Sequence, residues 1–209
     1  MTSRPRVAVI DHGAGNLVSI DQALTTVGAD GIVVADRGSL TSCDAMILPG
    51  VGAAGPAMAR LKARGLADPI RAWAAAERPL LGICLGLQLL FDVSDEDGAE
   101  TLGIVPGRTV RMEHAPTLPH TGWNQVEQKR SHPIFDGIVD GADLYFVHSY
   151  VGRPAASAQD VVLATTEHGA PFVSALARGS LLGVQFHPER SGRDGLRLLA
   201  NFVDLVRAA

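Results

Sequence analysis

Short apolar segments alternate with amphipathic ones over about the first 90 residues of the chain. The apolar segments contain several β-branched side chains, a pattern that predicts buried strands. These predicted strands cover residues 6–10, 31–35, 44–48 and 80–84. Apolar residues recur at helical spacing over residues 16–27, 56–64 and 68–76, and a further helix is predicted from Leu85. Gly28 suits a helix end, and Asp68 followed by Pro69 suits an N-cap and first turn.

Beyond about residue 100 the pattern changes to strand-like runs joined by short turns. These runs cover residues 108–112, 144–148, 161–166, 172–177 and 181–186. A last amphipathic helix is predicted over 194–206, and no repeat, low-complexity segment or linker interrupts the sequence. Together the two halves predict a single α/β domain over residues 1–209. Its mostly parallel central sheet is flanked by helices and has a smaller antiparallel portion.

Composition narrows the class of protein. Hydrophobic residues make up 46% and charged residues 19% of the chain, which is too apolar for disorder. The formal net charge of −4, without a dense Lys/Arg run, argues against nucleic acid or an acidic membrane as a partner. Two cysteines, Cys43 and Cys84, are too few for a secreted disulfide scaffold and favour a reducing compartment. The apolar stretches suit neither a signal peptide nor a membrane span, so we expect a cytoplasmic protein.

Metal and cofactor motifs do not emerge from the sequence. The histidines are scattered, and no CxxC or HExxH spacing occurs. The acidic stretch 95–98 lacks the alternating ligands of a calcium loop. The glycines at 13 and 15 follow a strand, but the pattern is too short for a dinucleotide fingerprint. We therefore expect neither a metal nor an organic cofactor.

The segment GICLG at 82–86 lies where a predicted strand turns into a helix. Flanking glycines permit a tight turn that exposes the middle side chain, as in the nucleophile elbow of hydrolases. A position at a helix N-terminus also favours the thiolate of Cys84, the reactive form. Taken alone, the segment is equally compatible with a buried structural cysteine beside two packing glycines.

The tripeptide His187-Pro188-Glu189 supplies a base for that cysteine. Proline keeps the preceding residue extended, and in extended chain residues i and i+2 point to the same side. Glu189 can therefore reach the His187 imidazole and fix its tautomer, which leaves the other ring nitrogen free to accept the thiol proton. A lone histidine at this position would more often be a surface residue, so the prediction depends on the two motifs together.

A third glycine-rich turn, LPGVG at 48–52, also ends a predicted strand. Its backbone N–H groups can point at a developing oxyanion together with the N–H of Leu85, which follows the nucleophile. A plain loop between strand and helix explains this segment equally well. Cys43 has no neighbouring base or helix terminus in the sequence and is expected to be inert.

These motifs together resemble the class I glutamine amidotransferases, and within them the glutaminase subunits of imidazole glycerol phosphate synthase. The resemblance spans essentially the whole chain. It rests on IDHGAGN at 10–16, LPGVGA at 48–53, GICLGLQLL at 82–90, PHTGWN at 119–124, YFVHSY at 145–150 and GVQFHPERSG at 183–192. The elbow and the HPE tripeptide mark the class, whereas GAGN, PHxGWN and YFVHSY indicate the subfamily.

The resemblance implies a role for each matching residue. Cys84 would attack the side-chain amide of L-glutamine, with His187 as base and Glu189 as its orienting carboxylate. The substrate-binding residues would be Gln88, Glu96, Gly52, Ser149 and Tyr150. The oxyanion hole would use the backbone at Val51 and Leu85. The partner interface would include Asn16, Trp123 and Arg190.

Three residues depart from the family pattern: His12 replaces an aromatic residue, Thr121 a methionine and Arg190 a lysine. None belongs to the triad, so the departures bear on the partner interface. The resemblance implies a heterodimer with a cyclase subunit of (β/α)₈ type in histidine biosynthesis. An enclosed path to such a partner also makes chemical sense, because ammonia released into neutral water becomes unreactive ammonium.

Two alternatives remain beside this interpretation. The same glutaminase chemistry can serve another synthase, such as one of the anthranilate or pyridoxal phosphate pathways. The PHTGWN and YFVHSY segments speak against that assignment. The chain can also be a catalytically silent regulatory binding module that keeps the fold, although Cys84, His187 and Glu189 are all present.

Overall fold

A nine-stranded mixed sheet forms the centre of the computed structural model, which describes residues 4–208. The strands are β1 Arg6–Ile10, β2 Asp30–Val34, β3 Ala45–Leu48, β4 Leu80–Ile83, β5 Val93–Ser94, β6 Gly107–Arg111, β7 His120–Gln128, β8 Ala142–His148, β9 Tyr150–Pro154, β10 Val162–Glu167, β11 Pro171–Arg178 and β12 Leu181–Val184. The α-helices are α1 Leu17–Thr26, α2 Ala54–Ala63, α3 Ala67–Ala75, α4 Leu85–Gln88 and α5 Gly192–Ala208.

The strand order in the large sheet is β2-β1-β3-β4-β12-β11-β10-β7-β8. The pairings from β2 to β12 are parallel, and those from β12 to β8 are antiparallel. A separate small sheet has the order β5-β6-β9. The expected α/β class with a mixed sheet is confirmed. The antiparallel portion is as extensive as the parallel one, because β7 and β8 extend the sheet beyond β10.

Apolar side chains alternate between the two faces of the sheet and build one core on each face. In β1, Val7 and Val9 belong to one apolar cluster, whereas Ala8 and Ile10 belong to the other. At the end of β4 the alternation continues into the turn, with Cys84 in the first cluster and Leu85 in the second. The turn at Cys84 therefore lies at the carboxyl end of a central parallel strand, where α/β sheets commonly bind ligands.

The sequence-based elements are mostly close to the observed ones, but strands β5, β7 and β9 were not predicted and the N-cap of α3 was assigned wrongly. Strand β7 was not predicted, because its sequence HTGWNQVEQ alternates poorly and contains few β-branched residues. It forms through a long antiparallel register with β8. Asp68 is not an N-cap: Leu66 occupies that position without a side-chain cap, and Asp68 pairs instead with Arg71 at 2.9 Å. Leu66 is fully buried, so its packing decides where α3 begins.

Helix α4 is much shorter than its sequence suggests, since it contains only four residues. Within residues 4–208, no helix combines the length and apolar content needed to cross a membrane.

Candidate active site

Cys84 occupies a strained turn between β4 and α4. Its backbone has φ 53° and ψ −108°, a conformation that non-glycine residues rarely adopt. The turn depends on its glycines, because a Cβ atom at Gly82 would lie 2.8 Å from the Leu87 nitrogen and one at Gly86 would overlap the Leu48 carbonyl. The elbow predicted from GICLG is therefore present. The one-turn length of α4 leaves little helix dipole at Cys84, so the predicted dipole effect is minor and neighbouring side chains must control the thiol.

His187 and Glu189 form a buried pair beyond the end of β12. Nδ1 of His187 and Oε1 of Glu189 are 2.8 Å apart, and both side chains are almost fully buried. The expected contact between His187 and Glu189 is thus present, although the backbone conformation that produces it differs from the predicted one. His187 is extended, but residues 188–190 form a 3-10 turn that brings Glu189 back beneath the ring.

The environment of His187 favours its charged form. Burial by itself lowers the pKa of His187, but the neighbouring Cys84 and Glu189 outweigh burial and raise the pKa to about 10. Nε2 of the ring is buried and has no hydrogen-bond partner within residues 4–208. That nitrogen is available to exchange a proton with Cys84, while Nδ1 is committed to Glu189.

A cavity of about 320 Å³ opens beside Cys84. This volume is at the lower end of the range for small-molecule sites. The cavity brings together the elbow and every residue that the resemblance associates with substrate or oxyanion. Those residues are Val51, Gly52, Cys84, Leu85, Gln88, Glu96, Ser149 and Tyr150.

The cavity contains one buried neutral side chain, Gln88, and one exposed acidic side chain, Glu96. Gln88 is buried and its amide nitrogen donates to the Tyr150 carbonyl at 2.8 Å. Glu96 lies on the exposed loop after β5, and partial burial together with Asp97 raises the pKa of its carboxyl group. The cavity thus combines an amide anchor with an acidic group.

The predicted oxyanion donors are not both free. The N–H of Leu85 donates to the Gly50 carbonyl at 3.4 Å, so it is turned away from a substrate in this arrangement. Val51 and Gly52 are exposed at the cavity rim. His12, fully buried below this turn, makes a 2.8 Å hydrogen bond with the Pro49 carbonyl, and burial lowers its pKa. The departure at His12 therefore contacts the oxyanion turn rather than the outer surface.

The three predicted interface residues lie near one another at the surface. Asn16 and Arg190 line a narrow cleft that also contains His187 and Glu189. Arg190 places its guanidinium 4.4 Å from the centre of the Tyr145 ring, and Trp123 packs edge-on against the same ring. Trp123 is 57% exposed, which is unusual for so large an apolar side chain.

Some residues of the site were not identified from the sequence. Gln185 places its Nε2 atom 3.6 Å from Cys84 Sγ. Two further histidines, His120 and His148, lie next to the cavity and are hydrogen-bonded to each other at 3.3 Å. The available signal for Gln185 was a polar residue within the apolar run LLGVQF, a position where burial without a partner would be costly.

Two further candidates for chemical sites are the second cysteine, Cys43, and groups of metal-binding side chains. Cys43 is buried, and burial raises the pKa of its thiol, which disfavours reactivity. In the part of the chain that the structure describes, no group of three or more His, Cys, Asp or Glu residues is arranged to hold a metal ion.

The fold and this arrangement of cysteine, histidine and glutamate have known counterparts. A family model described as glutamine amidotransferase class-I matches residues 8–205. PurLQS from Thermotoga maritima has a TM-score of 0.76 at 19% identity, with 97% of this chain and 99% of that chain covered, which supports the fold alone. The chain therefore belongs to the class I glutamine amidotransferase family.

More similar proteins define a narrower group. The imidazole glycerol phosphate synthase subunit HisH of Moorella thermoacetica is 48% identical over 204 residues, covering 97% of this chain and 96% of that protein. The protein of the same name from Synechococcus elongatus is 46% identical over 215 residues, covering 100% and 97%. Within the amidotransferases, the chain belongs to the family of HisH subunits.

Proposed function

We propose that this chain hydrolyses L-glutamine to glutamate and ammonia and delivers the ammonia to a synthase partner. The observation that carries the proposal is the position of Cys84 in a strained elbow, at the wall of a cavity and next to the His187–Glu189 pair. A thiol, a base and an orienting carboxylate are the components of nucleophilic acyl transfer.

The chemistry follows from these three side chains. His187 Nε2 takes the proton of Cys84, and the thiolate attacks the side-chain amide carbon of glutamine. The C–N bond then breaks, the departing nitrogen receives the proton from His187, and ammonia leaves a glutamyl thioester. Water, deprotonated by His187, attacks the thioester. The C–S bond breaks and its electron pair returns to sulfur, which releases glutamate. Glu189 holds Nδ1 of His187 throughout, at the observed 2.8 Å.

The cavity supports glutamine as the substrate. Gln88 and the backbone at Ser149 and Tyr150 offer polar groups along its wall, and Glu96 offers a carboxyl group for the α-amino group of an amino acid. The oxyanion donors require a rearrangement. Rotation of the Gly50–Val51 peptide would free the Leu85 N–H and turn the Val51 N–H inward. Each such donor is typically worth about 10²–10³ in rate. Gly50, which precedes this peptide and has no side chain, permits the change, and we propose that a docked partner favours it.

The partner in this proposal is a cyclase subunit of (β/α)₈ type that makes imidazole glycerol phosphate and an aminoimidazole carboxamide ribonucleotide. The names of the HisH relatives support a synthase with more than one subunit. In this proposal the exposed Trp123 and its neighbour Arg190, next to the cleft at His187, form the docking surface over the site. Docking there would keep ammonia away from bulk water.

The test compares Cys84→Ala with Cys43→Ala in a complex with a cyclase subunit. Cys84→Ala is expected to abolish synthesis from glutamine and to leave synthesis from added ammonia intact, because only the glutaminase step needs the thiol. Cys43→Ala is expected to retain both activities. Glutamate release and product formation are measured with each nitrogen source.

Other outcomes point to the alternatives. Loss of both activities in Cys84→Ala would make Cys84 structural. Glutamate release without any response to the cyclase subunit would indicate a different synthase. No glutamate release by the wild-type complex would leave a catalytically silent binding module.

A further inference from the structure

Two buried glutamine side chains connect Cys84 to the backbone of β9. Gln185 is 0% exposed, and Gln88 is 5% exposed. Gln185 Nε2 lies 3.6 Å from Cys84 Sγ, and Gln185 Oε1 lies 3.2 Å from Gln88 Nε2. The same nitrogen of Gln88 donates to the Tyr150 carbonyl at 2.8 Å. No step of the proposed mechanism involves Gln185.

The contacts fix which end of each amide faces its neighbour. A backbone carbonyl can only accept, so the nitrogen of Gln88 must face Tyr150. The second N–H of that nitrogen then needs an acceptor, and the Gln185 oxygen provides it. This leaves the nitrogen of Gln185 on the side of Cys84 Sγ. The Tyr150 carbonyl can only accept hydrogen bonds. It therefore sets the orientation of the Gln88 amide, and through it that of the Gln185 amide, so that an N–H group faces the sulfur.

The backbone holds both residues in register. β4 and β12 pair in parallel with Ile83 opposite Val184, and Cys84 and Gln185 are the residues that follow the two strands directly. The Cys84 N–H donates to the Val184 carbonyl at 2.8 Å, and the Gln185 N–H donates to the Ser174 carbonyl at 2.9 Å. A fully buried side chain on so constrained a backbone has little freedom to move away from the sulfur.

We propose that Gln185 is a further catalytic residue, whose side-chain N–H donates to the sulfur of Cys84 and stabilises it whenever it carries negative charge. This role rests on the proposed function. The sulfur is negative before it attacks the amide, and again when the C–S bond of the thioester breaks and its electron pair returns to Sγ. Besides His187, the Val147 carbonyl oxygen lies 4.0 Å from the sulfur, and because it can only accept it favours the neutral thiol. Gln185 counteracts that preference.

Replacement of Gln185 with methionine tests the contact in the full-length chain. Methionine has a similar length and adapts to buried sites but lacks the N–H donor. Alkylation of Cys84 by iodoacetamide is followed by mass spectrometry across the titration range of cysteine and histidine. In Gln185→Met, the midpoint of this pH–rate profile should move upward by about one pH unit. Below both midpoints alkylation should be about tenfold slower.

Two controls separate this effect from loss of structure. Cys43, labelled in the same sample, reports opening of the fold because it is buried and its thiol pKa is raised by burial. Asn201→Leu removes another buried amide, which donates to the Ile134 and Asp136 carbonyls rather than to the Cys84 sulfur. That variant should lower the thermal midpoint and leave the Cys84 profile unchanged.

An unchanged Cys84 profile in a folded Gln185→Met chain overturns the proposal. If that variant does not fold, Gln88→Met provides the test. Gln88 donates to the Gln185 oxygen, so its removal frees the orientation of the Gln185 amide. Its profile should move upward by less, and no movement again overturns the proposal. Alkylation needs no glutamine, so the outcomes stay separable. A shifted profile in a chain without glutaminase activity would retain the sulfur contact and reject the proposed function.

Discussion

Two buried histidines in different regions of this molecule, His187 beyond β12 and His148 at the end of β8, are held in opposite states. His187 and His148 are 4% and 6% exposed, so both are largely removed from water. The pKa of His187 is raised to about 10, whereas that of His148 is lowered to about 3. In both cases burial lowers the pKa. The difference is that His187 has Cys84 and Glu189 beside it, while His148 has His120 and a backbone carbonyl.

The hydrogen bonds around His148 describe a chain of neutral groups. His148 Nδ1 donates to the Tyr150 carbonyl, so its Nε2 accepts from Nδ1 of His120. Nε2 of His120 in turn accepts from the side-chain amide of Asn124. Each ring must carry one proton for this direction to hold. Burial and the neighbouring His168 lower the pKa of His120 to about 4, consistent with the neutral form. A buried carboxylate is thus what separates a charged histidine from a neutral one here.

The largest expected effect comes from removal of that carboxylate. Glu189→Gln keeps the size of the side chain but removes the charge that stabilises the imidazolium, which should bring His187 closer to the state of His148. Glutamine hydrolysis by the complex is expected to fall by about 10²–10⁴-fold, as for the loss of the orienting carboxylate in other triads. Glutamate release is the measurement, with circular dichroism to check the fold.

The matched control is Glu127→Gln, which changes an exposed carboxylate paired with Lys129. A surface ion pair of this kind is worth little, so hydrolysis should be unchanged. Equal activity of Glu189→Gln and the wild-type chain would remove Glu189 from the mechanism and abolish the contrast between the two regions.

The second prediction concerns stability at low pH. Because the pKa of His148 is lowered on folding, the unfolded chain binds a proton that the folded chain refuses as the pH falls below about 6.5. His148 therefore lowers the free energy of unfolding as the pH falls, and this loss grows between about pH 6.5 and the pKa of about 3 in the folded chain. For one histidine, the slope of the free energy of unfolding against pH is at most about 1.4 kcal/mol per pH unit, the value for uptake of one full proton on unfolding.

Denaturant unfolding at several pH values measures this slope. His148→Gln has no titrating group, so its free energy of unfolding should depend less steeply on pH than that of the wild-type chain. Identical slopes in the two chains would mean that His148 is protonated in the folded state. His187, whose pKa is raised, cannot produce this acid-side loss, because it retains its proton in the folded chain at low pH.

The sequence identified the components of the site more readily than their connections. The glycines around Cys84 restrict the backbone locally, so the elbow could be predicted from neighbouring residues. The His187–Glu189 contact was also predicted, because the two residues are close in sequence, but the 3-10 turn that forms it was not. The strand β7 and the length of α4 depend on pairing and packing with distant residues. Their own segments carry only weak propensity.

Gln185 shows why the rest could not be predicted. Its contact with Cys84 spans 101 residues and arises from the register of β4 against β12. A sequence shows that a glutamine interrupts an apolar run, but not which strand lies beside it. His120 and His148 are similar, because the antiparallel register of β7 and β8 places them opposite each other. Without that register each histidine reads as an isolated residue.

The smallest expected effect comes from placing a carboxylate beside a neutral histidine. Asn124→Asp replaces the amide that donates to His120 at 3.1 Å with an acceptor, so the nearest ring nitrogen should bind a proton. An opposite charge at this distance typically shifts a pKa by about one unit or more, here upward, as an NMR titration of the His120 ring would show.

Asn124→Leu also loses the bond to the Glu167 carbonyl but adds no charge, so it should leave the low pKa in place. Because His120 reaches Cys84 only through several further hydrogen bonds, hydrolysis should change only slightly in either variant. A large loss of activity in Asn124→Asp alone would mean that the charge state of His120 is felt at Cys84, so that the two histidine regions act as one.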